Sequence, residues 1–170
     1  MRNLIFSILI FIALPCLAEG DPNLKNLGTF GDWTAYTYGN ENGKICYIAS
    51  EPIKSSGKYS KRDDIFLMIT HRPTEKAFNV INTVAGYTYK KDSKPTLTID
   101  KKKAVTLTVH ENMAWAKDAK TDNLLVEEMK MGSLAVLKGT SKRGTLTTDT
   151  FSLKGFSKAY QKINEACGRS

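Results

Sequence analysis

The sequence has few of the residues that catalysis and metal binding most often use. It contains three cysteines and two histidines among 170 residues. His71 and His110 form no compact metal motif with another histidine or a cysteine, and no serine stands in a G-x-S-x-G turn. No glycine-rich phosphate loop follows a strand-like segment. The sequence therefore predicts no catalytic site, no metal and no cofactor, although a site assembled from distant residues such as the two histidines stays open.

Long apolar runs are also lacking, except at the N-terminus. Arg2 precedes an apolar run over residues 4–14, and small residues follow it up to Ala18. This order is typical of a secretory signal peptide, which we expect to be cleaved after Ala18. A transmembrane anchor is the alternative, but the run is shorter than the about 20 residues that spanning requires. Cys16 raises the further alternative of a lipoprotein signal, which Pro15 disfavours.

Removal of residues 1–18 leaves a chain of single-domain size. We predict a flexible lead-in over residues 19–27 and one domain over residues 28–170. The loss of Arg2, with no acidic residue, lowers the formal charge from +8 to +7. The expected location is the periplasm, with outer-membrane association or secretion as alternatives. No second apolar run of spanning length follows, so we predict no transmembrane segment in the mature chain.

The cysteine count predicts one disulfide bond. Cys16 leaves with the signal peptide, and Cys46 and Cys167 then have no competing partner. Export places them in an oxidising compartment, where disulfides persist. Neither belongs to a C-x-x-C pair, so we interpret the bond as structural rather than redox-active.

Strand-like segments dominate the predicted domain. Residues 33–38 and 44–49 are β-prone and flank Asn42-Gly43, which suits a tight hairpin. Residues 54–64 are polar and lysine-rich, which predicts a long exposed loop. Residues 65–70 are continuously apolar, which predicts a central strand. Residues 78–84 alternate, with Phe78, Val80 and Ile81 expected to face the core.

The second half of the chain adds strands and two helices. Residues 96–99 and 105–109 predict a hairpin with a charged tip, and strands follow at 134–138 and 146–151. A helix is expected from Thr121 to Gly132, with Asp122 as its cap and an apolar stripe formed by Leu124, Leu125, Met129 and Met131. A second helix is expected over residues 157–166. The predicted fold is mainly β: an antiparallel sandwich or barrel-like domain with one short helix before the last strands and a C-terminal helix.

Excess basic residues are the only binding signal that the composition offers. They fall between predicted strands, so some of them are expected to gather at one end of the domain as a surface for an anionic partner. The alternative is an ordinary solubilising surface. The candidate residues are Lys54, Lys58, Lys61, Arg62, Lys90, Lys91, Lys94, Lys101, Lys102, Lys103, Lys142 and Arg143.

Several motifs resemble those of one bacterial family. Phe30-Gly31-Asp32-Trp33, followed by Lys44-Ile45-Cys46-Tyr47, resembles the opening of the invasion-associated locus B proteins. Ser152-Leu153-Lys154-Gly155-Phe156 resembles their closing motif, and the likeness extends over residues 28–167. It implies a periplasmic or envelope-associated β-sandwich from a Gram-negative bacterium, with no enzymatic mechanism attached. Residues 111–119 lack the additional cysteine pair found in the middle of the pathogen proteins.

These observations predict a non-enzymatic envelope protein that binds a partner or an anionic surface through its basic loops. Nucleic acid is an unfavoured partner, because export separates the protein from it. Two alternatives stay open: a hydrolase-like periplasmic enzyme with a site built from distant residues, and a purely structural envelope component.

Overall fold

Two antiparallel sheets and two helices form the domain in the computed structural model, which describes residues 21–39 and 43–169. The large sheet contains β1 (Leu24–Phe30), β2 (Trp33–Tyr38), β3 (Ile45–Ser50), β5 (Phe66–Arg72), β6 (Ala77–Val84), β9 (Thr108–His110) and β10 (Met113–Trp115). The small sheet contains β4 (Lys54–Gly57), β7 (Thr96–Ile99), β8 (Val105–Thr106), β11 (Leu134–Thr140) and β12 (Leu146–Ser152). The spatial orders are β1-β2-β3-β5-β6-β10-β9 and β4-β12-β11-β7-β8. The sheets do not close into a barrel, so the sandwich is the correct one of the two expected architectures.

The core lies between the sheets and the helices α1 (Ala119–Met131) and α2 (Phe156–Ala166). Trp33 of β2 is fully buried and meets the ring of Phe156 edge-to-face, with centroids 5.0 Å apart. Its indole N–H donates to the carbonyl oxygen of Ser152 at 2.9 Å. One buried side chain therefore joins the large sheet to the last strand and to the last helix.

Several expectations are confirmed. The apolar run at residues 65–70 forms β5, the middle strand of the large sheet. β2 and β3 pair antiparallel as a hairpin, although Asn42 of the expected turn lies outside the described residues. The helix α2 begins and ends within one residue of its expected bounds. Cys46 and Cys167 form the expected disulfide bond, with Cα atoms 6.1 Å apart.

Two edge strands lie where no strand was expected. β1 begins at Leu24, inside the segment predicted as a flexible lead-in, and pairs with β2 from Leu24 opposite Tyr38. β4 lies inside the segment predicted as an exposed loop and pairs with β12. All four β4 residues are exposed. An edge strand with exposed side chains carries no hydrophobic alternation, and only its backbone pairing defines it.

The expected inward face of β6 was wrong at Phe78 and Val80 and is confirmed at Ile81. Phe78 and Val80 are only partly buried, whereas Asn79, Ile81 and Thr83 face the core. The pairing with β5 shifts between Thr70 and Arg72, so that two β6 residues stand opposite one β5 residue. Asn79 has a left-handed backbone, with φ of 61°. This bulge interrupts the alternation at Phe78, whereas Val80 follows it in regular register and points outward.

The expected cap of α1 was wrong, and its expected apolar stripe is confirmed only in part. Asp118, and not Asp122, caps the helix, since its carboxylate accepts the Thr121 N–H at 2.8 Å. Leu124 and Met131 are 52% and 75% exposed, so the buried stripe uses Leu125 and Met129 of the expected residues. The stripe also includes Val126.

The predicted 96–109 hairpin is divided between the two sheets. β7 pairs with β8, as expected, from Thr96 opposite Thr106. The chain then crosses to the large sheet at the buried Leu107, and β9 pairs with β10. Alternation continues across such a corner, so the pattern alone does not reveal the change of sheet.

Candidate functional site

Three loops meet at one end of the sandwich, which we call the basic end. They are residues 58–65, residues 85–95 and residues 141–145. Backbone hydrogen bonds join them: the Lys142 N–H donates to the Thr88 oxygen at 2.8 Å, and the Asp63 N–H donates to the Gly86 oxygen at 3.1 Å. Seven exposed candidate cations lie on these loops: Lys58, Lys61, Lys90, Lys91, Lys94, Lys142 and Arg143.

Two adjoining clefts, with volumes of about 780 Å³ and 550 Å³, open at the basic end and share Thr88 and Lys142 as lining residues. In the larger cleft, four lysines face two carboxylates, those of Asp92 and Glu111. In the smaller cleft, Asp63 is the only acidic lining residue. Positive charge therefore exceeds negative charge in both clefts.

Arg62 is buried, unlike the seven exposed cations of these loops, and its side chain is only 4% exposed. It donates two parallel hydrogen bonds to the carboxylate of Asp149, at 2.7 and 2.6 Å, and a third to the carbonyl oxygen of Ala85 at 2.6 Å. The guanidinium carbon lies 4.8 Å from the ring centre of Tyr87. Burial opposes its charge, but the hydrogen bonds and charge of Asp149 outweigh burial and raise the pKa of Arg62. Arg62 is therefore a fixed support beneath the basic end.

Four candidate lysines lie away from the basic end. Lys54 is on β4, opposite Thr150. Lys101, Lys102 and Lys103 follow the far end of β7, whereas Lys94 precedes its near end. Lys102 also approaches Glu128 of α1, with Nζ and Oε1 3.6 Å apart. The structure thus divides the candidate residues into a cluster at the basic end and a remote group.

The opposite ends of β5 and β6 carry a second polar cluster, which we call the disulfide end. His71 lies directly opposite Cys46 in the sheet and is fully buried. Its Nδ1 accepts the Asn79 N–H at 3.1 Å, so its Nε2 carries the proton that is donated to Asn164 Oδ1 at 2.8 Å. Burial lowers the pKa of His71, and the nearby Arg169 acts in the same direction.

Asn79 is the centre of the disulfide end. Its side-chain oxygen accepts a hydrogen bond from the Tyr160 hydroxyl at 2.7 Å, and another from Arg169 at 2.5 Å. Its amide nitrogen donates to Asn123 of α1 at 2.6 Å. Asn79 thus links β6 to both helices and to the chain after α2.

The two histidines do not share a site. His71 is fully buried, whereas His110 is exposed. His71 lies beside the start of β6, and His110 pairs with Met113, which pairs with Val84 at the end of β6. Neither histidine lines either cleft. Among residues 21–39 and 43–169, no group of three or more histidines, cysteines, aspartates and glutamates is placed to hold a metal ion.

Sequence reasoning did not identify Asp149 and Asn79. Asp149 is fully buried on β12, two residues before the buried Phe151. Asp149 lies two positions from Phe151, on the same face of its strand, so an inward Phe151 predicts an inward Asp149. A buried carboxylate in turn requires a cationic partner, and this pattern could have identified Asp149. Asn79 gave no comparable signal, since its role depends on the bulge.

The motifs at the two ends of the domain meet in the structure. The Asp32 N–H donates to the carbonyl oxygen of Lys154 at 3.0 Å. Gly31 and Gly155 have φ values of 59° and 91°. A Cβ atom at Gly31 would overlap the Lys154 backbone, and one at Gly155 would overlap the carbonyl of Phe30. Glycine is therefore required at both positions for this close approach.

Fold, disulfide and motifs together define an antiparallel β-sandwich fastened between its first strands and its last helix. The family model described as "Invasion associated locus B (IalB) protein" matches residues 33–164, and the chain belongs to this family. No curated protein and no solved structure matches the chain. In the described part of the chain, the helices are too short or too polar to cross a membrane.

Proposed function

We propose that this protein is an exported envelope protein that binds an anionic surface or partner non-enzymatically through its basic end. The convergence of seven exposed cations from three separate loops around two adjoining clefts carries the proposal. Solvated lysines spread evenly over a surface would solubilise the protein equally well. Their concentration on loops joined by backbone hydrogen bonds favours binding.

The charge arrangement suits a ligand with several phosphate or carboxylate groups. Lys142 borders both clefts, so a ligand that spans them meets cations from all three loops. The Arg62–Asp149 pair fixes the first of these loops from below. The loop backbone at this end is thereby held in place before binding, which lowers the entropic cost of association.

The proposed location is the periplasm, reached through a signal peptide over residues 1–18, which lie outside the described residues. The Cys46–Cys167 bond supports this proposal, because disulfides persist in the periplasm and are rare in the cytosol. Of the two alternatives, the hydrolase-like enzyme receives no support from the separated histidines. The family description names no reaction.

Binding is tested by co-sedimentation with vesicles that contain anionic phosphatidylglycerol or only neutral phosphatidylcholine. We expect binding to the anionic vesicles at about 50 mM salt and its loss near 500 mM, because salt screens exposed charges. Native envelope extract is the second probe, with bound components eluted in salt steps. Failure to bind anionic vesicles and an empty eluate would together overturn the proposal.

A matched pair of variants locates the binding surface. Lys142→Glu/Arg143→Glu reverses two charges at the basic end, and Lys101→Glu/Lys103→Glu reverses two charges at the remote hairpin tip. We expect the first variant to lose about tenfold or more in affinity and the second to change about twofold or less. Equal losses of affinity in the two variants would show that binding depends on net charge alone and not on the basic end.

A further inference from the structure

The outer surface of the large sheet is unusually apolar for a face that meets solvent. Alternate residues of its strands point inward and are fully buried, such as Ala35, Ile48 and Ile69. Most of the intervening residues point outward and are partly exposed, whereas Thr70 and Asn82 among them are buried. We call the following residues the outer apolar face: Tyr36, Tyr47, Phe66, Met68, Val80 and Trp115.

Cross-strand pairing makes these residues one continuous surface. Tyr36 lies opposite Tyr47, and their rings stack with centroids 5.1 Å apart. Tyr47 lies opposite Thr70, which lies opposite Val80. The neighbouring row runs through Met68 and Asn82 to Trp115. Among the outward positions of β2, β3, β5, β6 and β10, Arg72 is the only charged residue.

The outer surface of the small sheet is more polar at its centre, although Leu134 and Leu146, at the starts of β11 and β12, are 39% and 74% exposed. Val136 of β11 lies at its centre, with Thr98 on one side and Thr150 on the other. The next row runs from Thr96 through Lys138 to Thr148. Threonine and lysine are usual on a sheet that faces water. This difference between the centres of the two sheets supports a cover over the outer apolar face in the working protein.

We propose that a second copy of this chain covers the outer apolar face, so that two large sheets pack face to face in a symmetric dimer. Five adjacent strands about 4.8 Å apart, with about five residues each, give a patch of roughly 20 by 17 Å in projection. Two such corrugated patches bury about 1,000 Å² or slightly more in total, near the lower limit of stable interfaces. An interface of this size is typical of weak association, so we expect a dimer with a dissociation constant in the micromolar range, on the order of 1–100 µM.

The charge distribution favours a second copy over a membrane surface. Apolar surfaces that enter a lipid interface are usually accompanied by lysine and arginine. Here the cations gather at the basic end of the sandwich, and Arg72 alone lies among the outward positions of the five strands. Two copies can therefore join their outer faces without forcing their lysine clusters together.

Sedimentation equilibrium of the purified protein between about 1 and 300 µM tests the proposal. We expect the average mass to rise from that of a monomer towards twice that value. The dimer should persist at about 500 mM salt, where binding through the basic end is lost. The two proposals therefore fail independently. A monomer at every concentration would overturn the dimer.

Met68→Lys and Val136→Lys form a matched pair of variants. Each places a lysine at a partly exposed apolar position on the middle strand of a sheet, one on the large sheet and one on the small sheet. We expect Met68→Lys to raise the dimer dissociation constant at least tenfold and Val136→Lys to leave it unchanged. Circular dichroism melting of both variants confirms that they fold.

Two results would contradict the assignment of this face. Equal dissociation in both variants would show that the outer apolar face is not the interface. Flotation of a monomeric parent protein with neutral phosphatidylcholine vesicles, and its loss in Met68→Lys, would assign the face to lipid instead.

Discussion

The two ends of the sandwich keep polar groups in the core by different means. At the basic end, a full charge pair is buried, with the Arg62 and Asp149 side chains 4% and 0% exposed. At the disulfide end, the fully buried His71 is neutral, and Asn79 holds its neighbours through hydrogen bonds beside a covalent cross-link. The charge pair lies under loops that carry the proposed binding surface. The cross-link fastens the last helix to the sheet.

This difference has an energetic consequence. A buried ion pair contributes little net stability compared with apolar residues of the same size, but the loss of one partner leaves an uncompensated charge. A disulfide acts mainly on the unfolded chain, whatever its surroundings. We therefore expect the basic end to be more sensitive to single substitutions, and the disulfide end to be more sensitive to redox conditions.

Asp149→Ala is expected to have the largest effect. The Arg62 guanidinium stays buried without its carboxylate, which costs about 3–5 kcal/mol of unfolding free energy. Urea denaturation of the oxidised protein measures the loss. The double variant Arg62→Met/Asp149→Leu removes both charges and should lie within about 1 kcal/mol of the parent. Equal losses in the single and double variants would contradict the charge argument.

Cys46→Ser is expected to have the next largest effect. It opens a covalent loop across 121 positions, with a typical loss of about 2–4 kcal/mol. Thermal unfolding and thiol titration measure the result, and Cys167 should appear as one free thiol. The parent protein under reducing conditions is the control and should melt close to the variant. Identical melting temperatures for the variant and the oxidised parent would mean that the cross-link does not stabilise the fold.

Sequence patterns predicted the parts of this fold that depend on local hydrophobic order. The run at residues 65–70 could be assigned to a central strand, and α2 followed from Phe156, Tyr160 and Ile163 at helical spacing. The sequence did not predict β1 and β4, because an edge strand with exposed side chains is defined by backbone pairing to its neighbour. The inward face of β6 was wrong at Phe78, where the bulge interrupts the alternation, and at Val80, an apolar residue that belongs to the outer apolar face.

Individual site residues were harder to predict than the elements that carry them. The basic loops were recognisable in the sequence, but their division into a basic end and a remote hairpin depends on strand direction. Arg62 looked like its lysine neighbours, yet it is buried because Asp149 lies 87 positions away in the chain and next to it in space. Pairing over that distance has no local sequence signal.

Asp122 is an exception at the disulfide end, because it is a buried acidic group that forms no ion pair with any cation among residues 21–39 and 43–169. Its carboxylate accepts the Ile81 N–H at 2.9 Å, and only 7% of the residue is exposed. Burial raises its pKa to about 6, and the negative charge of Asp118 adds to the shift. A folded pKa above the ordinary value means that the native state binds this proton more tightly than the unfolded state. The protonated Asp122 carboxyl therefore contributes its full stabilisation of the fold below about pH 4, and this contribution is lost as the pH rises through about 6.

Asp122→Asn should accordingly stabilise the protein at neutral pH, which is the smallest of the three effects on stability. The asparagine oxygen can still accept the Ile81 N–H, and no desolvated charge remains, so we expect a gain of about 1–2 kcal/mol at pH 7.5 that vanishes near pH 4. Urea denaturation at several pH values measures it. The difference in unfolding free energy between variant and parent isolates the effect of Asp122. Burial lowers the pKa of His71, so its protonation destabilises both proteins equally as the pH falls.

Asp118→Asn is the matched control for this substitution. Hydrogen bonds from Thr121 lower the pKa of Asp118, so its charged form is the stabilising one, and its variant should show no gain as the pH rises. A gain in Asp122→Asn that is the same at pH 4 and pH 7.5 would mean that packing, rather than ionisation, is responsible. The disulfide end would then carry no buried charge that costs stability, and its contrast with the basic end would be complete.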